Sequence, residues 1–242
     1  MSDEDDVAFS PSLFTHPDDL RAVAQSFKLS DGTDLVCNSR AAENQHVVFN
    51  TGLVAWPGAT ILCEYFLYSP HVLKNKTVLE LGCGIGLCGI LARRWARSVT
   101  LSDGDEEVVA LLPDNILRNP STCPTDSRLI RWGENLAQQV ASLGRFEVVI
   151  AADVIYDPSV VQAFFDTVAA LMAEGGVLLM SYSPRNLPVE TALHVAEELG
   201  FAAIEIPIQP FACREQVVGR LFELRLKRDS HTTPPVESVI TS

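Results

Sequence analysis

Three groups of residues in this chain have the types and spacing to do chemistry. The first is a glycine-rich stretch, Glu80-Leu-Gly-Cys-Gly-Ile-Gly86, running on to Gly89. It follows an apolar run and precedes a small-residue apolar segment that ends near Trp95, so it reads as strand, tight turn and helix. Glycines belong there because the chain must turn sharply and let a ligand approach with no Cβ in the way. Two ligand patterns overlap in it. Gly84-Ile-Gly-Leu-Cys-Gly89 matches the dinucleotide pattern G-x-G-x-x-G, but begins two residues past the expected strand end. Glu80-x-Gly82-x-Gly84-x-Gly86 is better placed, with an acid at the strand end; a turn that holds no ligand is the third reading.

The second group is Asp103, which closes the next strand and can accept two hydrogen bonds from a vicinal diol. Its plainer role would be a helix cap for the segment beginning at Asp105. The third is Asp153-Val-Ile-Tyr156, directly after the apolar run Phe146–Ala152. A carboxylate there is either paired or facing a cleft. Tyr156 would share its pocket if the segment starts to coil, and the alternative is an Asp that caps the loop with Tyr156 packed beneath it. Trp132, after a third strand, offers a flat face to a purine ring or is a core tryptophan.

The elements that must position these residues alternate. Strands are expected at 77–81, 98–102, 127–131, 146–152 and 176–182, with helices near 86–96, 105–118, 134–143 and 158–173. Asp105-Glu-Glu107 and Asp157-Pro158 supply helix starts. Repeated βα units predict a parallel sheet with helices on both faces, and ligands of such sheets lie at the carboxyl ends of the strands. The last third differs: a helix at 187–199, then strands 201–208 and 217–226 with no helix between, which predicts an antiparallel pair at the sheet edge. Upstream, Ser26–Val36 reads as a hairpin around Asp31-Gly32. A strand-like Val47–Phe49 follows, then a helix from Pro57 preceded by Trp56. The division expected is an extension at 1–45, an α/β domain at 46–228 and a flexible tail at 229–242.

The chain has 242 residues, 47% of them hydrophobic, and a formal net charge of −13. No apolar run reaches the length of a membrane span, and the acidic start Met1–Asp6 lacks the basic opening of a signal peptide. Acidity disfavours nucleic acid and anionic membranes and would attract a basic protein segment. Six cysteines at irregular spacing and five dispersed histidines support neither a disulfide framework nor a metal site. A monomeric cytoplasmic protein, also able to occur in the nucleus, is expected, with no metal.

Gly52–Ala59, Glu80–Gly86, Ser102-Asp-Gly104, Asn115-Ile116, Arg131-Trp-Gly133 and Asp153–Tyr156 occur in this order. Together they resemble the seven-stranded protein methyltransferases often called methyltransferase family 16, over residues 47 to 226. The resemblance implies a seven-stranded Rossmann-like fold with an antiparallel last strand, S-adenosylmethionine as cofactor and a protein lysine as acceptor. It implies that Trp56, Glu80, Gly82, Gly84 and Gly86 hold the methionine end and ribose, that Asp103 holds the ribose hydroxyls, and that Trp132 packs beside the adenine. Asp153 and Tyr156 would border the acceptor site, Asp153 positioning the arriving ammonium and Tyr156 bonding the amine. Arg185 stands where family members often carry a basic residue. The competing functions are a small-molecule, histidine or arginine methyltransferase of the same fold, a noncatalytic module, and an NAD-dependent oxidoreductase.

Overall fold

The computed structural model describes residues 23–39, 51–184, 187–211 and 218–227. The expected strand at Val47–Phe49, Arg185, and the segments 1–22 and 228–242 lie outside the described residues.

Two sheets are present among the described residues. A hairpin joins β1 (Val23–Lys28) to β2 (Asp34–Ser39), pairing Val23 with Ser39 and Lys28 with Asp34. Its turn places Gly32 at φ +85°, a conformation that favours glycine. The main sheet has seven strands: β3 (Thr77–Leu81), β4 (Ser98–Asp103), β5 (Thr125–Leu129), β6 (Phe146–Ala152), β7 (Met172–Tyr182), β8 (Phe201–Ile206) and β9 (Arg220–Leu226). Their order across the sheet is β5-β4-β3-β6-β7-β9-β8. The first five run parallel, and β9 runs antiparallel to both β7 and β8. The expected antiparallel pair is therefore formed, with β9 slotted inside β8.

The helices are α1 (Pro57–Tyr68), α2 (Leu87–Ala92), α3 (Glu106–Arg118), α4 (Leu136–Leu143), α5 (Pro158–Leu171) and α6 (Val189–Glu198). They cover both faces, and the sheet divides the apolar interior into two layers. Ile61, Leu62 and Phe66 of α1 pack with Val78, Leu101 and Ile150 on one face; Phe164, Phe165 and Val168 of α5 pack with Leu79, Val149 and Leu178 on the other. Along β3, neighbouring residues Val78 and Leu79 thus face opposite layers, as a strand's period of two requires.

Several boundaries differ from the sequence expectation; β8 ends at Ile206 rather than 208, and β9 begins at Arg220 rather than 217. β5 starts and ends two residues earlier than expected, because Thr125-Asp-Ser-Arg-Leu129 lies at the sheet edge and carries little apolar pattern. α2 stops at Ala92 rather than near 96. β7 begins at Met172, and its register against β6 shifts between Phe146 and Val148, which passes Glu174 and Gly175 outside the regular ladder. Among the described residues no helix is long and apolar enough to cross a membrane, and no three His, Cys, Asp or Glu side chains are placed to hold a metal.

Candidate active site

The carboxyl ends of β3, β4 and β6 open onto a cleft of about 480 Å³. Eight of the nine residues singled out from the sequence line it: Trp56, Glu80, Gly82, Gly84, Asp103, Trp132, Asp153 and Tyr156. Gly86 does not. It stands at the N-cap of α2 at φ +85°, over Leu101 and Leu112.

The loop after β3 is built from left-handed turns. Gly82 and Gly84 have φ +64° and +53°, a region that costs an L-residue about 1–2 kcal/mol. Gly84 also has no room for a side chain, since a Cβ there would lie 2.8 Å from the carbonyl oxygen of Gly52. The N–H of Gly84 donates to Asp103 Oδ2 at 3.0 Å, while Asp103 Oδ1 accepts from the N–H of Asp105 at 3.1 Å. Asp103 thus braces the two loops against each other. The helix cap is Asp105, which accepts from the N–H of Glu107 at 2.8 Å. Burial holds the Asp103 carboxyl above its ordinary range, against the pull of the Gly84 and Asp105 N–H groups.

Glu80 is buried beneath the loop and accepts the N–H of Gly89 at 2.7 Å. Burial pushes its carboxyl up to about 8, with the Gly89 N–H acting the other way. Cys83 also lines the cleft; burial and the nearby Glu80 and Asp103 hold it as a thiol, which makes it a poor nucleophile.

Asp153 sits in a left-handed conformation, φ +55°, and only 4% of its surface is exposed. Its Oδ2 accepts the N–H of Gly58 at 2.7 Å, and its Oδ1 accepts the N–H of Ser183 at 2.6 Å. The Ser183 hydroxyl lies 2.8 and 2.7 Å from the two oxygens. Ser181 completes the clasp, its hydroxyl donating to Gly58 O at 2.7 Å and its carbonyl accepting the Asp153 N–H at 3.0 Å. The start of α1 is thereby tied to the ends of β6 and β7. Gly58 is required here, since a Cβ would meet the Asp153 carboxyl carbon at 2.6 Å.

The segment after Asp153 does not coil. Helix α5 begins only at Pro158, capped by Asp157, whose Oδ1 accepts the Ser159 N–H at 2.9 Å. Val154 and Ile155 are buried, and Tyr156 emerges at the rim, 52% exposed. Trp132 closes the opposite wall. Its ring meets Phe164 edge-on at a centroid distance of 5.1 Å, and its Nε1 is buried with no hydrogen-bond partner among the described residues.

Sequence reasoning did not assign Ser183, which lies 30 residues from Asp153, or the cleft wall given by Ser159, Val160 and Ala163 of α5. Gly52 was visible only as part of the Gly52–Ala59 stretch; its signal is a small residue ahead of a Pro-initiated helix. Near the mouth, Arg131 pairs with Glu106 at 2.9 Å, an exposed pair worth about 0–1 kcal/mol.

A family model described as lysine methyltransferase matches residues 39–199. Over 177 residues the chain is 32% identical to the protein-lysine N-methyltransferase EEF2KMT of Homo sapiens, covering 66% of this chain and 53% of that protein. It is 32% identical over 131 residues to the protein N-lysine methyltransferase METTL21A of Danio rerio, covering 53% and 59%. It is 30% identical over 162 residues to the histone-arginine methyltransferase METTL23 of Rattus norvegicus, covering 62% and 68%. The chain thus spans about half the length of EEF2KMT, and likewise of the protein-lysine N-methyltransferase EFM3 of Chaetomium thermophilum. Among solved structures, the T. thermophilus 16S rRNA N2 G1207 methyltransferase RsmC superposes with TM-score 0.59 at 20% identity, over 86% of this chain and 51% of that one. At that identity the likeness concerns the fold. The family match takes in the glycine loop, Asp103, Trp132 and the Asp153 turn, and the chain belongs to the lysine methyltransferase family.

Proposed function

We propose that this protein transfers the methyl group of S-adenosylmethionine to a lysine side chain of a protein. The observation that carries the reading is the convergence of the left-handed glycine loop, Asp103 and Trp132 on one cleft at the carboxyl ends of β3, β4 and β6. The cleft volume falls within the range of about 300–1,000 Å³ typical of small-molecule sites. Its donor set fits the cofactor. The Asp103 carboxylate keeps lone pairs for a ribose diol beyond those used by Gly84 and Asp105. Trp132 supplies an aromatic wall for a purine, and its orphan N–H is a donor in want of an acceptor. Trp56 and Glu80 border the part of the cleft beside α1 and the loop, where the cationic methionine end would sit; Gly86 supports the loop from below.

The bound cofactor supplies an activated methyl group. The protein's part is alignment: the acceptor nitrogen must meet the methyl in line with the departing sulfur. A lysine must also arrive as the free amine, and partial desolvation in the cleft lowers its pKa. Tyr156, exposed at the rim, would meet the acceptor side chain. Asp153 contributes by fixing the α1 start and the turn that presents Tyr156, while its carboxylate lends negative charge to the cleft lining. The net charge of −13 favours a basic, lysine-bearing segment over nucleic acid or an anionic membrane, and it keeps copies of the chain apart as monomers. Unpaired thiols at Cys37, Cys63, Cys83, Cys88 and Cys123 fit a reducing compartment, cytoplasmic or nuclear. The catalytic unit would be residues 46–228, with 1–45 as an extension and 229–242 as a tail.

The test is methyl transfer from labelled S-adenosylmethionine in a cell lysate, followed by mass spectrometry. Label in protein, on lysine, is expected. Label confined to small molecules, or to arginine or histidine, would overturn the acceptor assignment.

A further inference from the structure

Strand β2 bonds to β1 along one edge and to side chains along the other. The Val36 N–H donates to Asn119 Oδ1 at 3.0 Å, and Asn119 Nδ2 donates to Val36 O at 2.8 Å. Two residues on, the Asn38 N–H donates to Asn115 Oδ1 at 2.7 Å, and Asn115 Nδ2 lies 3.4 Å from Asn38 O. The spacing explains the fit. Four residues of α3 rise about 6 Å and two residues of β2 advance about 6.8 Å, so two amides one helical turn apart can stand in for a neighbouring strand.

Asn115 does something Asn119 does not. Its Nδ2 also donates to the carbonyl of Ile85, at 2.9 Å, and Ile85 belongs to the glycine loop and lines the cleft. A second route leads from β2 to the same loop: Ser39 Oγ donates to Leu53 O at 3.2 Å, and the adjacent Gly52 carbonyl lies against Gly84. The far end of the hairpin is fastened separately. Glu64 of α1 accepts the Ser30 N–H at 3.0 Å, and Arg94 donates to Asp31 and Thr33 at 2.9 and 2.7 Å. Asn115 is itself fully buried and does not line the cleft.

We propose that Asn115 is a positioning residue of the cofactor site, coupling the N-terminal hairpin to the glycine loop through one side-chain amide that holds both Asn38 and Ile85. This rests on the reading of the cleft as the S-adenosylmethionine site. Coupling of this kind is reciprocal. A ligand that orders the loop must steady the hairpin, and a loosened Ile85 must weaken the ligand. The hairpin is then a strut of the cofactor site rather than an appendage for the acceptor.

The test is amide hydrogen exchange on the full chain with and without S-adenosylhomocysteine, joined to calorimetry. In the wild type the ligand should slow exchange at Asn38 about tenfold. Asn115→Ala should raise the ligand's Kd about tenfold, equivalent to about 1.4 kcal/mol. It should raise the KM for S-adenosylmethionine while leaving the acceptor KM unchanged, and abolish the ligand's effect at Asn38. Asn115→Asp, which keeps an acceptor for Asn38 and loses the donor to Ile85, should weaken the ligand as much. Asn119→Ala, which loses the bonds to Val36 and one to the Asn115 carbonyl but none to the glycine loop, should leave affinity within about twofold. Unchanged exchange at Asn38 in a wild type that binds the ligand, or wild-type affinity in Asn115→Ala, would overturn the coupling. If Asn115→Ala does not fold, the wild-type exchange decides alone. A wild type that binds no S-adenosylhomocysteine refutes the cofactor assignment instead.

Discussion

Replacing Asp153 by alanine is the perturbation that separates a positioning role from direct contact with the acceptor. In the folded protein its carboxylate accepts two backbone N–H groups, from Gly58 and Ser183, and the Ser183 hydroxyl. The hydroxyl can turn to another acceptor, but the two N–H groups are fixed by the start of α1 and the end of β7. Leaving a buried donor unpaired costs about 1–3 kcal/mol, so Asp153→Ala should destabilise by about 3 kcal/mol. For a chain of this size that lowers Tm by roughly 6–12 °C. Asp153→Asn should be no rescue, because one of its two polar atoms is an NH₂ group that must face an N–H donor. Ser183→Ala removes only the hydroxyl and should cost about 1 kcal/mol. Melting temperature, S-adenosylhomocysteine affinity and turnover should be measured on the same preparations. A large fall in Tm is expected for Asp153→Ala, with loss of turnover in the fraction that stays folded. A near-native Tm is expected for Tyr156→Phe, with a smaller loss of turnover. A native Tm together with native turnover in Asp153→Ala would refute the clasp and its role.

Asp103→Ala should weaken S-adenosylhomocysteine by about 1.5–3 kcal/mol, the range for a hydrogen bond to a charged group, as read by calorimetry; unchanged affinity would leave Asp103 as a brace alone. Glu80 makes stability depend on pH in a defined direction. Its carboxyl is raised from 4.5 to about 8 by burial, so its contribution is full below about pH 4.5 and is lost as pH rises through about 8. Glu80→Gln should flatten that part of the Tm-against-pH curve, and a parallel curve in the variant would contradict the assignment. Gly84→Ala should abolish ligand binding, because a left-handed alanine would also press on Gly52 O. Gly144→Ala, at φ +74° with open space around its Cβ, should leave affinity unchanged in the same titration.

Much of the fold was legible because the central strands carry strong patterns. Phe146–Ala152 was bounded to the residue, since an apolar run flanked by polar residues marks a strand buried on both faces. β5 was read two residues late for the opposite reason: an edge strand of Thr, Asp, Ser and Arg has no such run. The seventh strand's place inside the sixth follows from its pairing with β7 across 38 or more residues, Tyr182 with Arg220 at the near end and Leu178 with Leu224 at the far end, and local pattern cannot show it. At the site, residue types and spacing marked the glycine loop and Asp103 because a turn and a strand end are local. The partners of Asp153 are not local. Gly58 lies 95 residues away in sequence and Ser183 lies 30, so the clasp appears only when β6, β7 and α1 meet. The link from Asn115 to Asn38 spans 77 residues and was invisible for the same reason.

Cofactor identity is measured most directly by a calorimetric titration of the purified full chain with S-adenosylhomocysteine and, separately, with NAD. Saturable one-to-one binding of S-adenosylhomocysteine, weakened by Asp103→Ala, is expected, with no heat from NAD. Comparable affinity for NAD, or no binding of S-adenosylhomocysteine to a folded wild type, would contradict the cofactor assignment.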